Sequence, residues 1–552
     1  MNRLLNIRAA LAAVISAMAL CSGCIENDIP YPVVECRIES IAAKGLAGEP
    51  AIDHVSATVT LPLLETTDIR NVEITDVTLT DKARASVDIV GRHDLTAPMP
   101  VVLSLYADYE WHITAEQTIP RYFTVEGQVG ATEWDIDQRT AKVYVGYRGT
   151  APLEPSMHPS AVRVNTLKLG PEGITNMKIA AEDIDDFDRR DPDRPWNFET
   201  YRRVEVTYHG RTEEWNLYVD YTDMKVDIRR ADGWVRTAWL YGEGLSGTDM
   251  GFRYRRAGSD EWTTVPAADI KVDGGSFSAQ IKGLEPETDY EAVAYSDNDD
   301  SAVLAFRTEP ELPLPNADFE TWSTSGNIIC PYVSDEIFWD TGNPGSTTLG
   351  ADYNITTGVS DTRPGSSGTR AARLASRYVV VKFAAGNIFV GRYAKTEGTN
   401  GRINFGRPFT SHPTALRGWA KFVNGNVNRI GKQPQDRTLT NEDPDEGMIY
   451  IALGTWDYQK YGGTPESPVQ VYSADESTFF NKNAEAVIGY GEKVFVRPTD
   501  GWEQFEIPIV YKSTDTAPTH IIIVCSASRW GDYFTGSDQN IMWLDDFELV
   551  WE

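Results

Sequence analysis

Cysteine, histidine and positive charge are all scarce in this chain of 552 residues. It contains five cysteines and seven histidines, and its formal net charge is −30. Cys36, Cys330 and Cys525 are too far apart in sequence to suggest a disulfide framework or a zinc site, so we expect small buried thiols instead. Because nucleic acids are bound through basic patches, the excess of acidic residues argues against a nucleic-acid partner.

Long apolar runs are also missing after the first two dozen residues. The one such run, from about Leu11 to Leu20, is shorter than the roughly 20 apolar residues that a membrane-spanning helix needs. It follows Arg3 and Arg8. A short apolar stretch behind basic residues is typical of a secretory signal peptide.

Small residues precede Cys24 at the end of this run. The pattern resembles the lipobox of bacterial lipoproteins, although Cys21 stands where leucine is usual. The resemblance implies a signal peptide over 1–23, lipid on Cys24 and a tether over 24–35; the alternative is a secreted protein that is cleaved nearby. Acidic residues just after Cys24 loosely resemble the export signal of surface lipoproteins in Gram-negative bacteria. We therefore predict a surface-exposed outer membrane lipoprotein, with the lipid as its membrane anchor.

Strand patterns fill the rest of the chain. Short runs rich in Val, Ile, Thr, Tyr and Trp are separated by Gly, Pro, Asp and Asn, and residues 55–61 and 141–147 alternate apolar with polar side chains. This alternation is the period of a β-strand with one buried face. A hydrophobic fraction of 41% is enough for several cores. The sequence therefore predicts an all-β fold made of successive sandwiches.

Three sandwich domains are predicted before residue 309. Residues 36–118 and 119–225 each end in a hairpin with an aromatic-rich second strand, which predicts two related immunoglobulin-like domains. Within 226–308, the run Leu-Glu-Pro-Glu-Thr-Asp-Tyr ending at Tyr290 resembles fibronectin type III domains, in which the tyrosine hydroxyl pins a corner between strands. Residues 309–315 contain three prolines and predict a stiff, extended linker.

The C-terminal stretch, residues 316–552, carries several motifs in order. Its opening Asn-Ala-Asp-Phe-Glu-Thr-Trp and its closing Leu-Asp-Asp-Phe-Glu-Leu resemble the first and last strands of jelly-roll carbohydrate-binding modules. Further motifs lie at 338–343, 366–374, 418–422 and 528–536. Together they resemble one family, the putative carbohydrate metabolism domain (PCMD) of bacterial envelope lipoproteins. The resemblance implies a jelly-roll sandwich and a link to glycans, but no particular reaction.

Aromatic rings near glycine-rich turns of this stretch are the candidates for sugar binding. Flat rings pack on the apolar faces of pyranoses, and neighbouring polar groups hydrogen-bond to the hydroxyls. The alternative for each ring is packing onto neighbouring loops. The candidate clusters are Trp339, Asp340 and Asn343; Trp456, Asp457, Tyr458 and Tyr461; and Trp530, Asp532 and Tyr533.

Glu320 and Asp545 are candidates for a structural calcium site. Asp545 has the same strand parity as Phe547 and Leu549, which predicts that it faces inward, and a buried carboxylate needs a partner or a cation. In related jelly rolls, acids of the opening and closing strands bind calcium through oxygen ligands, and the resemblance implies this role for the pair. Hydrogen bonds to backbone or arginine are the alternative, and no cofactor is otherwise required.

We interpret the chain as a lipoprotein whose jelly-roll domain binds a glycan without catalysis, while the upstream sandwiches form a stalk. One alternative is a structural or adhesive protein that binds an envelope protein or peptidoglycan. The other is a glycan-active enzyme. A glycosidase usually needs two carboxylates about 5 to 10 Å apart, which a sequence does not reveal, and neither Gly-x-Ser-x-Gly nor His-Glu-x-x-His occurs.

Overall fold

The computed structural model describes residues 36–54, 56–148, 151–152, 161–179, 196–434 and 437–552. Cys24, the predicted signal peptide and the tether lie outside these residues. Strands dominate the described chain and its helices are single turns, which confirms the prediction of an all-β fold. No helix within the described ranges is long and apolar enough to cross a membrane.

The first sandwich encloses a core of its own, in which Trp111 donates its indole N–H to the Cys36 carbonyl at 3.0 Å. In residues 58–63 every second side chain is buried, as the two-residue period of a strand requires. The strands are β1 (Ile38–Ala43), β2 (Ala51–Asp53), β3 (Thr58–Leu63), β4 (Val72–Leu79), β5 (Arg84–Ala85), β6 (Gly91–His93), β7 (Met99–Ser104) and β8 (Asp108–Gln117). They form the sheets β1-β4-β6 and β2-β3-β8-β7-β5.

The second sandwich is built around Phe123 and Trp215, which are both buried. Its strands are β9 (Tyr122–Val125), β10 (Gln128–Asp135), β11 (Thr140–Arg148), β12 (Ala151–Pro152), β13 (Val164–Lys168), β14 (Asn176–Ile179), β15 (Arg202–Tyr208) and β16 (Arg211–Thr222). The main sheet has the order β10-β11-β16-β15-β14, with β12 beside β11, and β9 pairs with β13.

The third sandwich has a tightly fixed corner. Leu284 is buried in its core, and the Tyr290 hydroxyl accepts a hydrogen bond from the Glu285 N–H at 2.9 Å. The strands are β17 (Val226–Gly233), β18 (Thr237–Gly244), β19 (Met250–Arg256), β20 (Thr263–Thr264), β21 (Ile270–Asp273), β22 (Ser276–Lys282), β23 (Asp289–Ser296), β24 (Asp299–Asp300) and β25 (Leu304–Arg307). Its sheets are β17-β18-β22-β21 and β20-β19-β23-β24, with β25 beside β23.

The C-terminal domain is a larger sandwich. Its strands are β26 (Ser323–Ser325), β27 (Ile328–Cys330), β28 (Trp339–Thr341), β29 (Thr356–Val359), β30 (Ala371–Ala375), β31 (Arg377–Val379), β32 (Lys382–Ala384), β33 (Asn387–Glu397), β34 (Asn400–Phe405), β35 (Arg407–Pro408), β36 (Ala415–Val423), β37 (Gly447–Gly454), β38 (Gly462–Thr464), β39 (Ser467–Tyr472), β40 (Val487–Phe495), β41 (Glu503–Pro508), β42 (Val510–Tyr511), β43 (His520–Ser526) and β44 (Ile541–Val550).

Two sheets of this domain face each other across one core. The larger has ten strands, in the order β38-β39-β34-β33-β43-β37-β40-β42 with β28 beside β33 and β35 beside β43. The smaller has the order β29-β30-β44-β36-β41, and two hairpins, β26-β27 and β31-β32, stand apart. The helices of the domain are α1 (Asn343–Ser346) and α2 (Tyr458–Tyr461). Short 3₁₀ turns of the chain lie at Ile69–Asn71, Ala267–Asp269, Thr347–Leu349, Ala351–Tyr353, Glu476–Thr478 and Gly531–Tyr533.

Residues 316–322 form a turn and not the expected first strand. The Asn316 side chain accepts a hydrogen bond from the Thr321 N–H at 2.8 Å and closes the segment on itself. The Phe319 ring then packs edge-on against Phe547 at 5.1 Å. Strand β44 pairs with β30 and β36 inside the smaller sheet instead.

The proline-rich segment 309–315 is held against the domains on both sides of it. The Glu309 carboxylate lies 2.7 Å from His412 Nδ1, and Leu314 is buried in the C-terminal core. The Trp234 ring of the third sandwich stacks on His412 at 4.6 Å, and its N–H donates to the Thr514 carbonyl at 3.0 Å. The segment therefore lies in a packed interface between the third sandwich and the C-terminal domain.

Candidate ligand-binding cavity

The ten-stranded sheet of the C-terminal domain has two apolar faces, because successive side chains of a strand point to opposite sides. Ile449, Ile451 and Ile523 belong to the core between the sheets. Their neighbours Tyr450 and Val524 point the other way and join a second apolar cluster. We call this second surface the outer face.

A cavity of about 420 Å³ lies on the outer face. Cross-strand pairing sets Tyr450 beside Val524 and Val524 beside Phe389, so three strands contribute one continuous row. Phe405 packs edge-on against Phe389 at 5.3 Å. The principal lining residues are Val379, Lys382, Phe383, Phe389, Thr396, Thr399, Asn400, Phe405, Tyr450, Ser473, Val524, Arg529, Asp532 and Phe534.

Asp532 is the sequence-predicted residue that the structure brings to this cavity. It lies on the 3₁₀ turn Gly531–Tyr533, and its side chain is exposed to the cavity. The surrounding protein deprives the carboxylate of bulk water, and this desolvation raises its pKa to about 6. The Asp532 charge in turn contributes to a Tyr450 pKa that burial already holds well above its usual value.

A buried carboxylate anchors the loop that carries Asp532. Asp445 accepts hydrogen bonds from Ser528 Oγ at 2.6 Å, Ser537 N at 2.7 Å and Asn540 Nδ2 at 2.9 Å. Desolvation outweighs these bonds and raises the Asp445 pKa to about 7. Because its donors come from both ends of the loop, Asp445 fixes the path of the chain between them.

The two cationic side chains of the lining are engaged by neighbouring groups. Lys382 Nζ donates to Asn400 Oδ1 at 2.7 Å and lies 3.4 Å from the centre of the Phe534 ring, a cation–π contact. Desolvation lowers the Lys382 pKa. Arg529 Nη1 donates to Glu446 Oε2 at 2.9 Å. Lys382 thereby ties the hairpin β31-β32 to the turn between β33 and β34.

The other two residues of the third cluster lie beside the cavity. Trp530 is 3% exposed, with the Arg437 guanidinium 5.1 Å from its ring centre, so it packs beneath the turn and does not offer a face to a sugar. Tyr533 contacts Phe479 edge-on at 5.2 Å. Of this predicted cluster, Asp532 alone reaches the described lining.

The first predicted cluster is part of the domain core, which corrects its assignment to sugar binding. Trp339 is fully buried on β28 and donates its N–H to the Pro315 carbonyl at 2.8 Å. Asp340 accepts from Tyr393 N at 2.8 Å, and burial raises its pKa to about 6. Asn343 is also fully buried and spans the backbones of neighbouring segments. None of the three has a surface for a ligand.

The second predicted cluster lies at the edge of the ten-stranded sheet. Trp456 is 5% exposed and belongs to the outer-face cluster. Tyr461 is partly buried and packs against the same cluster. Asp457 caps α2 by accepting from the Gln459 N–H at 2.9 Å, and Tyr458 is 39% exposed. None of these residues is among the described residues that line the cavity.

The predicted calcium pair makes hydrogen bonds to backbone. Glu320 accepts from Thr369 N, Thr369 Oγ1 and Arg370 N at 2.7 to 2.9 Å, and Asp545 Oδ2 accepts from Arg363 N at 2.9 Å. Asp545 Oδ1 is buried without a hydrogen-bond partner. The described residues contain no group of three or more His, Cys, Asp or Glu side chains that could hold a metal ion. The hydrogen-bonding alternative accounts for Glu320 and for Asp545 Oδ2, and the calcium site stays a prediction.

A bulge explains why the inward direction predicted for Asp545 is wrong. Met542, Leu544 and Phe547 all belong to the core, so the strand changes parity between Leu544 and Phe547. Asp546 has a φ of 46° there, a left-handed conformation typical of bulges and turns. Asp545 pairs with Trp419 and lies on the side of the smaller sheet that faces away from the core.

Most of the lining was not predictable as a site from the sequence. Phe389, Phe405, Tyr450 and Val524 lie on four strands that are separated in sequence and become neighbours only through the order of the sheet. Each reads locally as an ordinary strand residue. A run of exposed apolar residues at the β31-β32 hairpin, Val380 and Val381, is the one local signal that points to this region.

Comparison with solved structures finds similarities of low sequence identity and low TM-score. A crystal structure described as a putative glycoside hydrolase from Bacteroides thetaiotaomicron is 13% identical, covers 95% of this chain and 98% of that chain, and has a TM-score of 0.30. Another putative glycoside hydrolase, from Bacteroides vulgatus, is 20% identical over 43% of this chain and 97% of that chain, with a TM-score of 0.31. The tandem CBM22 domains of Paenibacillus barcinonensis Xyn10C are 11% identical over 69% of this chain and 91% of that chain, with a TM-score of 0.20.

No curated protein matches the chain. One family model does match, and it covers the domain that contains the cavity. Residues 318–550 match the family described as a putative carbohydrate metabolism domain.

Proposed function

We propose that the protein binds a glycan in the outer-face cavity and does not convert it chemically. One observation carries the proposal: a cavity of about 420 Å³ with a largely aromatic and aliphatic lining lies within the stretch that matches a carbohydrate-related family. Ligand pockets typically occupy about 300 to 1,000 Å³ and combine such a lining with a few polar groups.

The lining supplies both kinds of contact that a sugar requires. The half-buried rings of Tyr393 and Phe534 provide apolar surface for the C–H faces of a pyranose. Thr399, Asn400 and Ser473 contribute hydroxyl and amide groups for sugar hydroxyls. The cavity is bounded by the hairpin β31-β32 and the turn at Asp532, which suits a chain end or a short branch better than the middle of a long polysaccharide.

Binding fits the described lining better than hydrolysis does. Glycosidases usually place two carboxyl groups on either side of the bond that they cleave. Asp532 is the one carboxylate among the described residues that line the cavity. Glu446 is not among these lining residues and accepts a hydrogen bond from the Arg529 guanidinium at 2.9 Å.

The position of the protein in the cell is a further part of the proposal. A lipid on Cys24 would hold the chain at the outer membrane, and the upstream sandwiches would act as a stalk that presents the C-terminal domain at the surface. Mass spectrometry of the mature N-terminus tests lipidation, and release of a Cys24→Ala variant from the membrane is the expected result. Protection of the wild-type chain from protease added to intact cells would contradict surface display.

A titration of the full chain against a panel of oligosaccharides tests glycan binding. Thr399 lies on the exposed rim of the cavity, so Thr399→Trp fills the opening at little cost in stability. Thr264→Trp on β20 adds the same ring to an exposed threonine of the third sandwich and serves as the matched control. We expect a bound sugar in wild type and control and at least tenfold weaker binding in Thr399→Trp. Equal affinities in all three proteins would overturn the assignment of the site.

A further inference from the structure

The side of the smaller sheet that faces away from the core carries a row of large side chains. The core takes one residue from each of three adjacent strands, Leu374 on β30, Leu544 on β44 and Phe422 on β36. Their neighbours along each strand point to the opposite side. Because β44 pairs with both β30 and β36, these neighbours bring Arg373, Trp543 and Lys421 into register. We call this surface the small-sheet face.

Apolar side chains extend the small-sheet face beyond this row. Ile541 lies two residues before Trp543 on β44, so it points to the same side, and it pairs with Val423 on β36. Val423 is 44% exposed, and Ile541 and Trp543 are half-buried. An apolar patch on an exposed sheet face is a feature of binding surfaces. None of these residues lines the outer-face cavity, so the two surfaces are separate.

Arg373 is the cation of this face that the protein leaves without a counter-ion. Three other cations on or beside the same side of the sheet have a carboxylate partner, in the pairs Lys421–Asp361, Arg363–Asp546 and Arg417–Glu548. The Arg373 guanidinium forms no hydrogen bond or ion pair with any described residue. Its contact is with the Trp543 ring, whose centre lies 5.7 Å from Cζ.

Stacking on a ring does not by itself explain a missing counter-ion. Arg255 of the third sandwich also lies over a tryptophan, with Cζ 4.3 Å from the centre of the Trp262 ring, and it is paired with Glu291 at 2.7 Å. Arg373 is half-buried, and desolvation and the nearby Arg377 charge both lower its pKa. A guanidinium has five N–H donors, and those of Arg373 are left for a ligand.

Trp543 holds this guanidinium in position at the surface. Lys421 Nζ lies 4.3 Å from the centre of the Trp543 ring and comes from the strand on the other side of β44. The ring therefore stands between two cations, of which only Lys421 has a carboxylate partner. A cation–π contact orients a cation without neutralising its charge, so Arg373 stays available to an anion.

We propose that the small-sheet face binds a sugar unit that carries an anionic group, a carboxylate or a sulfate, and that Arg373 is its ion-pair partner. The guanidinium fork matches two oxygens of such a group, while Ile541 and Val423 offer apolar surface to the C–H groups of the sugar. The net charge of −30 repels anions at a distance, but physiological salt screens charges beyond about 8 Å. That the ligand is a sugar rests on the proposed function; the second site and the acidic group go beyond it.

The test compares acidic sugars with neutral sugars of the same skeleton. Trimers of galacturonic, glucuronic and mannuronic acid, the methyl ester of each, and a galactose trimer with and without 6-sulfate are titrated calorimetrically into the full chain. We expect at least one acid to bind about tenfold more tightly than its neutral counterpart, the typical gain from a charge-assisted hydrogen bond. The uronate and sulfate arms identify the anionic group. Added salt should reduce the preference, because it screens the ion pair.

Three variants locate the preferred acid on the chain. Arg373→Gln should lose the preference, whereas Arg255→Gln, which removes the ring-stacked arginine of the third sandwich, should keep it. Thr399→Trp, which fills the outer-face cavity, should also keep it. The inference is overturned if no acid binds more tightly than its neutral counterpart, if salt leaves the preference unchanged, or if the preference survives in Arg373→Gln or disappears in Thr399→Trp. Binding of neutral sugars in the cavity, which Thr399→Trp tests, stands or fails independently of these results.

Discussion

The two faces of the ten-stranded sheet are made from the same strands, yet one is filled and the other encloses a cavity. The inner face packs Ile449, Ile451 and Ile523 into the core shared with a second sheet, where all three are fully buried. The outer face is covered by a hairpin, turns and loops, which leave about 420 Å³ open between Phe389, Tyr450 and Asp532. Close packing is the default state of protein interiors, so the place where it is left incomplete is the place to look for a ligand.

The largest expected difference between the faces is in stability. Ile523 and Val524 are neighbours on β43 and point to opposite faces. Ile523→Ala opens a cavity in a filled core and should reduce the free energy of unfolding by about 2 to 5 kcal/mol. Val524→Ala enlarges a space that already exists and should cost about 1.5 kcal/mol, mainly the transfer energy of the two lost carbons. Urea denaturation of the full chain measures both, and equal losses would remove the distinction between the faces.

A second prediction concerns the buried carboxylate of the smaller sheet. Asp545 is fully buried, and desolvation raises its pKa from 3.8 to about 6. The folded state therefore holds a proton that the unfolded chain has released, and the contribution of Asp545 to stability, complete below about pH 4, is lost as the pH rises through 6. Asp545→Asn keeps the acceptor for Arg363 N–H and removes this loss, so at pH 7.5 it should raise the free energy of unfolding by about 1 to 3 kcal/mol.

The same variant tests the calcium prediction. Measurements at pH 4 and pH 7.5, each with calcium and with chelator, give four melting temperatures for each protein. If Asp545→Asn has a higher melting temperature than the wild type only at pH 7.5, and calcium does not change this difference, the result supports hydrogen bonding at this position. A wild-type protein that calcium stabilises and Asp545→Asn weakens would restore the calcium site.

The smallest expected effect on stability is at the hairpin that covers the cavity. Lys382 ties β31-β32 to Asn400, so Lys382→Met should cost about 1 kcal/mol or less in the free energy of unfolding. It should, however, speed amide hydrogen exchange in the hairpin and the release of a bound sugar, because local opening no longer breaks that contact. Lys482→Met, which removes a lysine paired with Glu492 at 2.7 Å, is the matched control. Unchanged exchange in Lys382→Met would show that the lysine does not hold the hairpin.

The sequence predicted the all-β fold because alternation of apolar and polar residues is a local property. The burial of an aromatic ring is not a local property. Trp339, Trp456 and Trp530 have the same kind of neighbours in sequence as a sugar-binding tryptophan, yet all three are at most 5% exposed. Their burial depends on which segments cross above them. The predicted inward direction of Asp545 was wrong for a related reason. The bulge at Asp546 inserts one residue, which shifts the two-residue alternation of the strand.

Only one residue of the described cavity lining was identified from the sequence. Asp532 was identified from its position in a glycine-rich turn, but Phe389, Phe405 and Tyr450 were not, since the sheet order that joins their strands is a tertiary property. The linker illustrates the same limit. Its prolines predicted stiffness, while the contact between Trp234 and His412 that draws it into an interface joins residues far apart in the sequence.

A crystal structure of the full chain with the tightest-binding oligosaccharide of the panel examines the site most directly. We expect the sugar in the outer-face cavity, with its C–H face on the half-buried ring of Tyr393 or Phe534. A sugar bound instead at the exposed edge near Tyr458, with the cavity left empty, would contradict the assignment.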